Sequence, residues 1–207
     1  MSFTTADVVK LRKATGAGMM DCKNALKDAE GDFDRALEII REKGKLIANK
    51  RADREASEGA ALAKVTEDNK FGAMVVLNCE TDFVAKNENF VAFADSILQV
   101  ALANKAESLD ALKAMDLDGR TVEAQVTEQT GVIGEKLELS YYKCLSDESV
   151  TGYIHPGNKL ATIVAFNKAD VAEEVKKDVA MQVAAMAPVA VDKDAIPQDV
   201  IEKEIEI

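Results

Sequence analysis

The stretch Asn78-Cys79-Glu80-Thr81-Asp82-Phe83-Val84-Ala85-Lys86-Asn87 constrains the fold more than any other part of this chain. Upstream lies a strongly apolar run, Met74-Val75-Val76-Leu77. Downstream, Phe90, Phe93, Ala94, Ile97, Leu98, Ala101 and Leu102 recur at helical spacing. A buried strand therefore feeds a buried helix. The join between them sets an acidic residue beside a large aromatic, where short loops usually prefer Gly, Ser, Asn or Asp. Two outcomes are open. Thr81, Asp82 or Asn87 caps the helix while Phe83 turns inward to close the end of the core, the commoner fate of a loop-proximal aromatic. Alternatively Phe83 projects as a knob, because an aromatic on a loop held by rigid elements is a common binding anchor.

Around this join the chain is long enough to bury a real core. Its 207 residues are 47% hydrophobic, which suits one small and one medium domain. The formal net charge is -11, and a field of that sign repels phosphate backbones and disfavours direct nucleic-acid binding. The basic residues Lys43, Lys45, Lys50, Arg51 and Arg54 cluster locally but lack interleaved aromatics, so they read as a solvated helix face. Cys22, Cys79 and Cys144 are widely separated. They read as reduced, buried thiols and argue against a disulfide framework or a zinc site. No apolar run reaches membrane-spanning length, and the start Met1-Ser2-Phe3-Thr4-Thr5-Ala6-Asp7 lacks the blocks of a secretory signal, so a cytoplasmic protein without a membrane partner is expected.

In chain order, Thr4 and Asp7 have the spacing of a helix N-cap ahead of Val8, Val9 and Leu11, and Gly16 stops that helix. A second amphipathic helix follows, with Met20, Lys23, Asn24 and Lys27 on one side and Cys22, Ala25, Leu26 and Ala29 on the other. At least one of Met19 and Met20 is expected to pack in this small core. Gly31 ends the helix in a left-handed turn, and Asp32 caps a third carrying Phe33, Ala36, Leu37 and Ile40. Gly16-Ala17-Gly18 is not a phosphate cradle: neither Gly-x-Gly-x-x-Gly nor a Gly-Lys-Ser/Thr ending is present, and no nucleotide pocket or cofactor is expected. Lys43 to Gly59 reads as a helical tail passing into a linker.

Beyond it, Ala60 to Thr66 and Phe71 to Cys79 read as a hairpin. A short helix is expected over Ser108 to Met115, and Gly131 and Gly134 bracket a turn. Leu137, Leu139 and Tyr141 alternate with polar residues as the inward face of a strand, and Val150, Gly152 and Ile154 continue that alternation before Leu160 to Phe166. These runs are expected to form a meander. Asp170 and Glu173 are spaced to cap a helix whose buried side is Val171, Val175, Val179, Val183 and Met186, ended by Pro188. Pro197 opens another helix, cut off while still periodic. The organisation is α+β: a helical unit over 1–45, a linker over 46–59, an antiparallel-sheet core with packed helices over 60–190, and the start of a further helix over 191–207.

Asn78 to Lys86, taken with Leu11-Arg12 and with Thr15-Gly16-Ala17-Gly18-Met19-Met20-Asp21-Cys22-Lys23-Asn24-Ala25-Leu26, resembles the bacterial translation elongation factor Ts family. The resemblance implies a ubiquitin-associated-like amino-terminal domain and a guanine-nucleotide exchange factor for elongation factor Tu, with no catalytic chemistry of its own. It implies that Thr81, Asp82, Phe83 and Val84 dock at the partner's nucleotide domain and dislocate its Mg2+ site. It also places Arg12, Met19 and Met20 against that domain, matches Lys50 and Arg51 to a lysine-rich contact segment, and sets His155 against a distal domain. Some members of the family pair as homodimers. Two other functions compete: a thiol hydrolase in which Cys79, His155 and Asp82 converge, and an adaptor whose helical unit binds ubiquitin-like or peptide ligands.

Overall fold

A computed structural model describes residues 3–206; the expectations that rest on Met1, Ser2 and Ile207 lie outside them. The chain opens with three helices. Helix α1 (Thr5–Thr15) is held by a capping box: Thr4 Oγ1 accepts from the Asp7 amide and the Asp7 carboxylate accepts from the Thr4 amide. Gly16, at φ 72°, supplies the left-handed C-cap. Helix α2 (Met19–Asp28) turns Cys22, Ala25 and Leu26 inward, and helix α3 (Phe33–Arg51) begins on Asp32, which accepts from the Arg35 amide at 2.9 Å. Val8, Leu11, Cys22, Ala25, Leu26, Ala36 and Ile40 form this unit's own core. Helix α3 runs on to Arg51, so much of the 46–59 stretch is helical, and only 52–57 separate it from the first strand.

Strands β1 (Glu58–Val65) and β2 (Phe71–Cys79) form the expected hairpin, in register from Glu58 opposite Cys79 to Val65 opposite Gly72. Next come the one-turn helix α4 (Asp82–Ala85) and the long helix α5 (Glu88–Asn104). Phe90, Ala94, Ile97, Leu98 and Ala101 of α5 bury against Leu62, Phe71, Ala73, Val75 and Leu77 on one face of the sheet. The 3.6-residue period read from the sequence is this buried stripe.

Helix α6 (Leu109–Ala114) sits on its Ser108 cap, and a small hairpin, β3 (Asp116–Leu117) and β4 (Arg120–Thr121), leads into α7 (Val122–Ile133). Gly131 therefore does not open a turn. It lies inside α7, and Gly134 alone provides the left-handed stop at φ 80°.

Strand β5 (Glu138–Ser146) returns antiparallel beside β2, giving the order β1-β2-β5. Val76 pairs with Tyr141 and Leu77 with Leu139, so Ser140 is an extra residue on β5. This bulge reverses the side-chain alternation. Tyr142 is buried and its hydroxyl donates to the Ala106 carbonyl at 2.6 Å, whereas Tyr141, expected inside, faces out.

The expected meander is also corrected. Strands β6 (Ser149–Ile154) and β7 (Ala161–Phe166) pair with each other as a separate hairpin. That hairpin covers the second face of the sheet, where Ala61, Ala63, Met74 and Val76 meet Ala161, Ile154 and Ile163. The physical reason is that β1 is apolar on both faces and a single helical layer covers only one of them.

Helix α8 (Glu173–Met186) packs on β6 and β7 through Ala180 and the buried stem of Lys176. Its inward stripe is thus rotated from the expected one, leaving Val175 and Met186 exposed. Its N-cap is Ala172, which has no side-chain acceptor, so the expected Asp170–Glu173 cap does not form; Glu173 opens the helix and accepts from Lys176 Nζ at 2.8 Å. The last helix, α9, is Gln198–Glu206. Among the described residues no helix is long and apolar enough to cross a membrane.

Candidate functional site

The β2 to α5 join becomes a braced tip. Thr81 is the N-cap of α4, and its Oγ1 accepts from the Val84 amide at 3.4 Å. Its own amide and hydroxyl donate to the two carboxylate oxygens of Glu135, at 3.0 and 2.7 Å. The tip is therefore anchored to Glu135, just past the Gly134 cap of α7. Within one helical turn, adjacent side chains diverge by about 100°. Ala85 is accordingly buried and Val84 packs against the core, while Phe83 is 84% exposed. The outward knob is realised and the core plug is not. Asn87, accepting from the Asn89 amide at 2.9 Å, caps α5 separately, so the join holds two successive caps.

Charge at the tip is organised in the same way. Lys86 Nζ donates to Asp82 Oδ2 at 2.7 Å, one turn along. That ammonium holds the Asp82 carboxyl below the usual carboxylate range, so Asp82 is an anion beside the exposed ring at neutral pH. Glu80 accepts from the Lys136 amide at 2.6 Å and from Arg51 Nη1 at 2.7 Å. The Lys136 N–H lowers its pKa most, against the opposing effect of burial, and Arg51 lowers it further. Arg51, expected to face a partner, thus reaches inward to the base of the tip. Lys50 beside it is exposed.

Cys79 lies just beneath. Its thiol is buried and donates to the Thr81 carbonyl at 3.2 Å. Burial, reinforced by the Glu135 charge, pushes its pKa up to about 11. The group is a protonated thiol at neutral pH and not a nucleophile, which removes the support for the hydrolase reading. The ring of His155 is engaged elsewhere, with Nδ1 at 2.9 Å from the Tyr153 hydroxyl. The turn that carries His155 does reach the tip's end of the sheet. Lys159 Nζ donates to Glu58 Oε2 at 2.9 Å, and Glu58 lies opposite Cys79 in the ladder.

The other expected contact residues lie on the helical unit. Met20 is 65% exposed and Met19 39%, so neither fills the small core, which Cys22, Ala25 and Leu26 complete without them. Arg12 is exposed on the last turn of α1. Among the expected contact residues, Arg12, Met19 and Met20 are uncovered on the helical unit, and Phe83, beside the half-exposed Asp82, is uncovered on the core. Glu80 and Glu135, which brace the second group, were not singled out from the sequence. Glu135 lies more than fifty positions from the threonine it holds, and no local pattern links the two.

Fold and tip together define a two-part protein: a helical unit followed by a mixed α/β core with antiparallel sheets, presenting an aromatic on a short capped helix. Residues 80–207 match the family model described as Elongation factor TS. Elongation factor Ts of Bacteroides fragilis (strain YCH46) is 55% identical over 208 residues, covering 100% of this chain and 62% of that protein. Elongation factor Ts of Christiangramia forsetii is 54% identical over 206 residues, covering 99% and 74%. Elongation factor Ts of Porphyromonas gingivalis (strain W83) is 49% identical over 208 residues, covering 100% and 75%. The chain belongs to the elongation factor Ts family. It spans about three-fifths of the length of its Bacteroides fragilis relative.

Proposed function

We propose that this chain is a guanine-nucleotide exchange factor for elongation factor Tu, binding the GDP-loaded GTPase and promoting replacement of GDP by GTP. The observation that carries the reading is the uncovered Phe83 ring on a helical turn braced through Thr81 and Glu135. A rigidly mounted ring can enter a gap between two elements of a partner without first paying for its own ordering. In this reading Phe83 is the wedge, Asp82 the charged contact that fixes its register, and Thr81 and Val84 the shoulders of the tip. The displaced partner structure no longer holds its Mg2+, and loss of the cation that neutralises the diphosphate removes a large part of nucleotide affinity. Linkage makes the effect reciprocal: a protein that favours the nucleotide-free state weakens nucleotide by the factor by which nucleotide weakens the protein. No nucleotide pocket in this chain is required.

Arg12, Met19 and Met20 on a ubiquitin-associated-like helical domain (1–45) provide a second contact with the nucleotide domain in this reading. Lys50 adds a nearby charge, Arg51 acts mainly through Glu80, and His155 meets a distal domain. Residues 52–57 connect that domain to the core, and Gln198–Glu206 form the last described helix. The protein works in the cytoplasm, with homodimerisation as a further mode of assembly. The test is release of a fluorescent GDP from purified elongation factor Tu. Acceleration at micromolar concentrations of this chain is expected, and none overturns the reading.

A further inference from the structure

Helix α3 belongs to two bodies at once. Ala36 and Ile40 in its first half fill the core of the helical unit, and its second half lies across α7 of the core domain. The crossing is glycine on glycine, and it is asymmetric. A methyl group at Gly131 would stand 2.2 Å from the Gly44 Cα, nearer than side chains tolerate, whereas one at Gly44 would stand 3.7 Å from the Gly131 Cα, an ordinary contact. Polar contacts flank the crossing. Arg41 Nε lies 3.6 Å from one carboxylate oxygen of Glu128, whose other oxygen is engaged by Arg120. Farther along α3, Arg51 reaches Glu80 at the base of the Phe83 tip. From Arg41 to Arg51 the helix runs ~15 Å at its normal rise.

We infer that the Gly44–Gly131 crossing is a positioning device that makes α3 a strut, holding Met19 and Met20 of the helical unit at a set separation from Phe83. One helix packed into both units cannot bend at their boundary without breaking its own hydrogen bonds or this contact. The two uncovered groups therefore meet a partner together rather than in turn, and binding through two sites at matched spacing exceeds either site alone. The role in exchange rests on the function proposed above; the fixed spacing does not.

The matched variants Gly131→Ala and Gly44→Ala test it. Both remove a helical glycine and gain the same helix propensity, but only Gly131→Ala forces the helices apart, by on the order of 1 Å to restore normal carbon contact. Nitroxides at Lys23→Cys and Glu88→Cys, both exposed positions, report the spacing by pulsed electron resonance in a Cys144→Ser background. GDP release from elongation factor Tu is measured on the unlabelled proteins. Gly131→Ala is expected to shift or broaden the distance distribution and to lower the exchange rate at limiting protein about tenfold, with Gly44→Ala matching the parent in both. If Gly131→Ala does not fold cooperatively, Gly44→Leu pushes on the crossing from the α3 side and is read in the same way. An unchanged distance, or a changed distance with unchanged exchange, overturns the inference. A parent protein that fails to accelerate release overturns the exchange reading instead, whatever the distances show.

Discussion

At the residue scale the tip depends on carboxylates that brace it from its base. Glu135 satisfies both the amide and the hydroxyl of Thr81. Replacing it by Ala leaves two part-buried donors without their acceptor, a loss of about 1 kcal/mol or somewhat more. The expected outcome for Glu135→Ala is faster amide hydrogen exchange across residues 81–85 with the α5 amides unchanged. Glu80 gives a pH-dependent counterpart. Its pKa in the folded protein is held below the ordinary 4.5, so its contribution is fully present above that value and disappears as pH falls through the lowered one. The difference in urea midpoint between the parent and Glu80→Gln is expected to be largest near neutral pH and to shrink steadily below about pH 4.5. The aromatic and its neighbouring acid were legible in the sequence as two open alternatives. The Glu135 brace was not, because a carboxylate 54 positions from Thr81 leaves no periodic trace.

At the scale of elements, the sequence identifies most of the pieces and misses how some of them turn. Capping residues are local, so Thr4, Gly16 and Asp32 mark boundaries that the structure keeps. Gly131 is different: the same residue type that ends helices here permits a close crossing, and only the facing Gly44 distinguishes the two uses. The bulge at Ser140 is equally invisible to an alternating pattern, since one added residue exchanges the roles of Tyr141 and Tyr142. Tyr142→Phe is expected to cost about 1 kcal/mol through the lost bond to the Ala106 carbonyl, whereas Tyr141→Phe is expected to be near neutral in denaturant unfolding. On α8 the apolar residues outnumber the places to bury them. The hairpin beneath, not the valine spacing, selects Ala180 and the Lys176 stem as the inner face.

At the scale of the whole molecule, one helix fills the core of the helical unit and packs on α7 of the core domain, and each unit leaves apolar side chains uncovered beside charges. On the function proposed above, this arrangement presents a spaced pair of contacts, with Phe83 as the lever. An exposed ring contributes little to its own fold, so removing it separates function from stability as few substitutions can. The decisive measurement is the rate of GDP release from elongation factor Tu per folded molecule of Phe83→Ala, set beside its thermal midpoint. The rate is expected to fall roughly thirtyfold, the effect of losing a strong anchor, with the midpoint moved by no more than about 2 °C. An unchanged rate per folded molecule, or a loss of rate no larger than the loss of folded protein, would contradict Phe83 as that lever.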